Sequence, residues 1–170
     1  MYKIGRVRIY FTLLVAIILQ LTAAPYLAIG GVKPDLITMF IVIFGLFYGP
    51  RTGFEAGLLG GFLKDVFALD FFWMNTFLGA ATGLFAGAIS SQFSKESKFV
   101  CIFLVAALTG ISMVLHYAVA ALISPYHALG FFEYLAGTIL PGLTATGIIS
   151  MVAFLYFGDM FIMKNGADLL

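Results

Sequence analysis

The sequence predicts an all-α integral membrane protein: a compact bundle of about six transmembrane helices, forming one domain over residues 1–170 with both termini cytoplasmic. Three observations predict it. Of 170 residues, 62% are hydrophobic and 10% are charged, with a mean hydropathy of +1.09; a soluble domain is roughly half apolar and a quarter charged. Apolar runs recur along the chain, and about 20 helical residues cross the roughly 30 Å of bilayer hydrocarbon. Finally, the nine Lys and Arg residues fall unevenly between those runs.

The first run, residues 9–29, follows Lys3, Arg6 and Arg8. A cleavable secretory signal has the same basic start, but a run this long reads as a retained anchor. The second run, 34–48, is entered through Lys33, Pro34 and Asp35, and the third covers 53–69. Both are short for full spans, so four or five spans with one re-entrant segment is the alternative count. The join Tyr48-Gly49-Pro50-Arg51-Thr52-Gly53 reads as a tight turn in which Pro50 stops one helix and Gly53 opens the next. Glu55, one turn on, is spaced to pair with Arg51 and favours a helix N-terminus. The fourth, fifth and sixth runs cover 71–93, 99–123 and 131–157. Pro141 predicts a kink in the sixth, where Gly142, Thr144 and Thr146 can re-satisfy the freed carbonyl.

Orientation follows from the cations. With six spans and a cytoplasmic N-terminus, Lys3, Arg6, Arg8, Arg51, Lys95, Lys98 and Lys164 fall inside, and Lys33 and Lys64 fall outside. That is a positive-inside bias, and it supports an even span count.

Several function classes are excluded. A net charge of +1 argues against nucleic acid, which calls for a clustered basic surface. Cys101 stands alone, so it forms no intramolecular disulfide or Cys-based metal site and reads as a packing residue. His116, inside an apolar run, reads as a core residue rather than a metal ligand, because no second ligand stands at metal spacing. No nucleophile–base set, phosphate-cradling loop or acid–base carboxylate pair is present in the sequence, so neither catalysis nor a cofactor is expected. Loops of at most about ten residues leave no room for a soluble domain, and partners must meet the chain in or beside the membrane.

Two features remain. Gly53, Gly57 and Gly61 on the third span, and Gly79, Gly83 and Gly87 on the fourth, each recur every four residues on one helix face. Such faces serve either to pack the two spans together or to admit a partner helix. Lys64 and Asp65 lie towards the outer end of the third span, with Asp70 beyond them. Adjacent helical side chains diverge by about 100°, so the two cannot bury against one partner. Candidates at that level are Lys33, Asp35, His116 with Tyr117, Tyr126, His127, Glu133 and Tyr134. Either Lys64 snorkels outward while Asp65 bonds a neighbouring helix, or the cluster recognises a protein or ligand.

The segments Lys33-Pro34-Asp35, Tyr48-Gly49-Pro50-Arg51-Thr52-Gly53 and Gly60-Gly61-Phe62-Leu63-Lys64-Asp65, with the glycine-bearing helix through Gly87, resemble the rod shape-determining protein MreD family. Pro34, Asp35, Arg51, Gly53 and Asp65 match its pattern position by position, whereas Lys64 and Asp70 depart from it. The resemblance implies a non-catalytic scaffold in the bacterial inner membrane that supports peptidoglycan synthesis and cell shape. Its implied partner is MreC, and through MreC the elongation transpeptidase, the glycosyltransferase and MreB. The expected partner-binding residues are Lys33, Pro34, Asp35, Gly53, Gly57, Gly61, Lys64, Asp65, Gly79, Gly83 and Gly87, with Pro50, Arg51 and Glu55 as the structural turn. The resemblance also implies kinship in fold with the substrate-binding subunits of energy-coupling-factor vitamin transporters, in which the outer cluster would line a ligand pocket. A first-helix Ala-xxx-Ala docking face would then be expected, and Ala24 to Ala28 is interrupted by Pro25.

Overall fold

A helix that is apolar on every side belongs at the centre of a bundle, and α2 (Leu36–Tyr48) takes that place. Every residue of 36–47 except Phe40 is buried. The computed structural model describes residues 6–67, 73–93, 97–123 and 130–163; the expectations placed on Lys3, Asp70, Lys95, Tyr126, His127 and Lys164 lie outside the described residues. Around α2 stand α1 (Arg6–Thr22), α3 (Pro50–Phe67), α4 (Met74–Ile89) and α5 (Lys98–Ile123), together with a composite rod of α6 (Phe131–Tyr134), a π segment (Leu135–Ile139) and α7 (Leu140–Met163). The described residues thus form an all-helical fold of six rods.

The apolar runs are longer than the helices they contain. The first breaks at Thr22, because Pro25 has no N–H to donate and disfavours helix at the residue before it. A short 3-10 turn, Ala24–Leu27, follows, so Ala24 and Ala28 lie in a connection and not on a helix face. Next, Ile29 and Val32 exchange two backbone hydrogen bonds of 3.0 Å around Gly30 and Gly31, whose φ angles are +58° and +80°. Two successive positive φ angles make the tight hairpin turn that glycine favours. The tip rests on the last rod, where a Cβ at Gly30 would lie 3.5 Å from Pro141.

The α2–α3 turn differs from expectation by several residues. Gly49 ends α2 at φ +92° and ψ 178°, a conformation open essentially to glycine. Pro50 then occupies the first position of α3, where its missing N–H has no helical partner to lose. Proline therefore opens the helix and glycine closes the one before. Arg51 and Glu55 lie on the first turns of α3, Arg51 exposed and Glu55 half-buried.

The two glycine trios face each other inside the chain. A Cβ on Gly53 would strike the Gly83 carbonyl oxygen, one on Gly57 that of Gly79, one on Gly61 that of Asn75, and one on Gly87 the backbone of Pro50. The α3–α4 interface is backbone against backbone, made by dispersion contact that any larger residue would open. All six glycines are buried within this pair, so a surface for a second protein has to be sought elsewhere.

Below the cavity described next, Val42, Ile43, Leu46 and Phe47 of α2 pack with Ala86, Cys101, Leu104, Val105 and Phe154 from α4, α5 and α7. In the last rod the expected kink takes the form of a wide turn, in which the Leu140 N–H donates to the Leu135 carbonyl five residues back. Pro141 supplies the reason, since its ring does not fit a regular turn against the carbonyl four residues earlier. Thr144 Oγ1 donates to the Pro141 carbonyl at 2.8 Å. Among the described residues, two rods, Lys98–Ile123 and Phe131–Tyr156, are long and apolar enough to cross a membrane; Ile9–Thr22, Leu36–Tyr48 and Met74–Ile89 are shorter apolar helices. Phe99, Phe103, Leu122, Phe132 and Tyr156 are exposed, giving the outer face hydrocarbon suited to lipid. Arg51 and Lys98 stand at one end of the bundle, and Lys33 and Lys64 at the other.

Candidate ligand-binding site

The end that carries Lys33 and Lys64 holds a cavity of about 370 Å³, within the roughly 300–1,000 Å³ of small-molecule sites. One wall consists of Gln20, Lys33, Asp35, Thr38, Lys64 and Asn75; the opposite wall consists of Ser112, Met113, His116, Tyr134 and Thr138. Ile17, Ile37, Ile41 and Leu78 add apolar surface between them.

The first wall is built from helix ends. Asp35 caps α2, its Oδ1 accepting from the Thr38 N–H at 3.0 Å and its Oδ2 from Thr38 Oγ1 at 2.8 Å. A carboxylate is well placed there, since it satisfies an otherwise orphan donor and meets the positive end of the helix. Lys64 Nζ donates to the same Oδ2 at 2.7 Å, joining the end of α3 to the start of α2. The strand of chain leading into Asp35 is held from two sides. Gln20 Nε2 donates to the Pro34 carbonyl and Gln20 Oε1 accepts from the Leu36 N–H, both at 2.8 Å, while the Asp35 N–H donates to Thr146 Oγ1 of α7 at 3.0 Å.

Asp65 does different work. It is 2% exposed, and its carboxylate caps α4 from the neighbouring helix. Oδ1 accepts from the Asn75 N–H at 3.0 Å and from Nδ2 at 2.9 Å; Oδ2 accepts from the Thr76 N–H at 2.8 Å and from Oγ1 at 2.5 Å. The residue before α4, Trp73, provides no side-chain cap and has φ +79°, so Asp65 supplies what the local sequence lacks. Of the two alternatives for this pair, Asp65 does bond a neighbouring helix, α4, while Lys64 pairs with Asp35 in place of snorkelling outward.

The second wall is aromatic at its rim. Tyr117 and Tyr134 lie with ring centroids 4.7 Å apart and planes at 30°, and Phe131 approaches Tyr117 at 5.7 Å. The π segment lies between Tyr134 and Leu140, so Tyr134 and Thr138 both reach the cavity from the turn that Pro141 widens. A second cavity of about 450 Å³ lies between α1, α2 and α7 and, Thr12 apart, is lined by apolar side chains such as Leu19, Leu36, Phe40, Ile43 and Phe154. It offers little to orient a polar molecule, and the first cavity is the candidate site.

Of the expected site residues, Lys33, Asp35, Gly61, Lys64 and Gly79 line this cavity, as do His116 and Tyr134 of the outer cluster. Pro34 is buried beneath it, and Gly53, Gly57, Gly83 and Gly87 lie deeper between α3 and α4. Gln20, Thr38, Asn75, Ser112, Met113 and Thr138 did not stand out in the sequence. Gln20 had a usable signal, a lone amide near the end of an apolar span, and so did the Asn75-Thr76 pair at the start of one.

The model of the family described as "ECF-type riboflavin transporter, S component" matches residues 9–164. No curated protein and no solved structure matches the chain. The family match overturns the MreD resemblance, and with it the cell-shape scaffold and the partnership with MreC, the elongation enzymes and MreB. The physical reason lies in what carried the resemblance. Asp35 is a helix cap, Gly49-Pro50 a turn, the glycines an interhelical contact and Asp65 a second cap, all of them supports of a fold and none of them specific to a scaffold. With nearly its whole length matched, the chain belongs to the family of S components of ECF-type riboflavin transporters.

Proposed function

We propose that this chain is the substrate-capturing membrane subunit of an ECF-type transporter, and that riboflavin is bound in the cavity between the α1–α2 connection, α3, α5 and the last rod. The family match together with the make-up of that cavity carries the reading. Riboflavin is a flat, uncharged tricycle with one methylated edge, one edge of imide donors and acceptors, and a hydroxylated chain. Tyr134 offers a ring to stack on. Ile17, Ile37, Ile41 and Leu78 suit the methylated edge, and Gln20, Thr38, Asn75, Ser112 and Thr138 suit the polar edge and hydroxyls.

In this reading the chain is a single six-span domain of the cytoplasmic membrane with both termini inside, as the placement of Lys and Arg favours. The cavity then faces outward, where a scavenged vitamin arrives. Its partners are the ATPase and T component of the transporter's energy-coupling module. The subunit binds and releases its substrate without altering it.

The test is a titration of purified protein in detergent with riboflavin, read by quenching of flavin fluorescence. The expected result is saturable one-site binding, weakened roughly tenfold or more by Tyr134→Ala as the stacking ring is lost. A linear response with no saturable component would refute the assignment.

A further inference from the structure

Two cations stand on the cavity wall, and they differ in state. Lys33 is exposed to water. Lys64 is held by Asp35 at 2.7 Å, with the two side chains only 27% and 16% exposed, and leans on Thr38 Oγ1 at 3.4 Å. Asp35 is itself fixed, since Thr38 binds both of its carboxylate oxygens and its backbone N–H is tied to Thr146.

We propose that Asp35 sets the charge of the molecule this cavity accepts: by holding Lys64 in an ion pair it leaves the ammonium as a hydrogen-bond donor without net attraction for an anion. This rests on the riboflavin reading and narrows it to the unphosphorylated vitamin. The ammonium has three protons; with one on Asp35 Oδ2 and one towards Thr38, a third is left for a carbonyl or hydroxyl of a neutral ligand. A phosphate at the same place would meet the Asp35 carboxylate a few ångströms away in a partly desolvated site, where like charges repel strongly. Beside Lys64 it would also surrender its own hydration to a cation whose charge Asp35 already balances.

The experiment compares riboflavin and riboflavin 5′-phosphate as ligands for purified wild-type protein and variants, by flavin-fluorescence quenching. Asp35→Asn keeps a good helix cap while releasing Lys64. Wild type should prefer riboflavin, and Asp35→Asn should move the affinity ratio towards the phosphate by roughly tenfold or more, as a new charge-assisted hydrogen bond would. Adding Lys64→Met to Asp35→Asn should cancel that gain, and adding Lys33→Met should not. Lys64→Met alone, which exposes the Asp35 carboxylate to the ligand, should widen the preference for riboflavin and tests the idea even if the Asn variant folds poorly. An unchanged ratio in Asp35→Asn, a gain that survives Lys64→Met or disappears with Lys33→Met, or equal binding of the two flavins by wild type would overturn the proposal. Failure of wild type to bind either flavin would instead refute the riboflavin reading itself.

Discussion

Replacing Asp65 with alanine should loosen the α3–α4 pair from one end, and the size of the effect follows from the bonds lost. The carboxylate is buried and accepts four hydrogen bonds from Asn75 and Thr76, two of them from the first-turn N–H groups of α4. A buried donor left without an acceptor costs about 1–3 kcal/mol. The side chains of Asn75 and Thr76 are only half-buried and can turn towards water, so the two N–H groups dominate, and about 3–4 kcal/mol is expected for Asp65→Ala. Asp65→Asn retains one accepting oxygen but turns an NH₂ group on two donors, and should lose about 2 kcal/mol. For a chain of this size each kcal/mol lowers Tm by about 2–4 °C, so Asp65→Ala should melt about 10 °C early. The assay is thermal unfolding in detergent, followed by the fluorescence of Trp73, the chain's single tryptophan, which stands immediately before α4. Thr76→Val should be strongly non-additive with Asp65→Ala, because both remove the same contact. A Tm within about 3 °C of wild type, or simple additivity of the two changes, would refute the capping role.

Two further outcomes are expected from the packing. Gly57→Ala would drive a Cβ into the Gly79 carbonyl and the Ala80 backbone, and should lower stability by more than about 2 kcal/mol or prevent recovery of folded protein; Gly147→Ala in α7, with nothing within 4 Å of the added Cβ, should raise stability by about 0.5–1 kcal/mol through helix propensity. A similar Tm change for both glycines would contradict the close approach of α3 and α4. Thr109 is fully buried in α5 and, among the described residues, its hydroxyl has no hydrogen-bond partner. The isosteric Thr109→Val should therefore be neutral or raise stability by up to about 1 kcal/mol, and a drop of more than about 1 kcal/mol in equilibrium unfolding would show that the hydroxyl is used.

Much of the architecture was legible because lipid constrains it tightly. Apolar runs, glycine spacing and Pro/Gly punctuation reflect the need to satisfy backbone groups and bring helices close, and they located all six rods. Boundaries were less legible where a run continued through a break in the helix, as at Pro25, or where Pro50, expected to stop one helix with Gly53 opening the next, itself opens α3 after Gly49 has ended α2. Lys64 was marked as needing a counter-ion, and Asp35 was among the candidates; their pairing depends on how the end of α3 meets the start of α2, which spacing along the chain does not encode. The cavity was least legible. Ser112, Met113, Thr138 and Asn75 are ordinary residues in apolar helices, and they become a wall only when α5 and the last rod are set across from α2 and α3.

That division explains why the segment with the strongest motifs misdirected the functional reading. Between Lys33 and Gly87 the motifs specify how α2, α3 and α4 are capped, turned and packed, which any protein built on this framework must solve. The residues that complete the cavity sit opposite, on α5 and the π segment, where Tyr134 and Thr138 reach it because Pro141 widens the turn ahead of it. There the sequence offers no spaced signature, only hydroxyls, an imidazole and rings among apolar residues. Both halves line the cavity, but the α2–α4 side shows its pattern in the sequence and the side made by α5 and the last rod does not. A motif match confined to the first half therefore identifies a fold, and function has to be argued from the side chains the fold brings to face it.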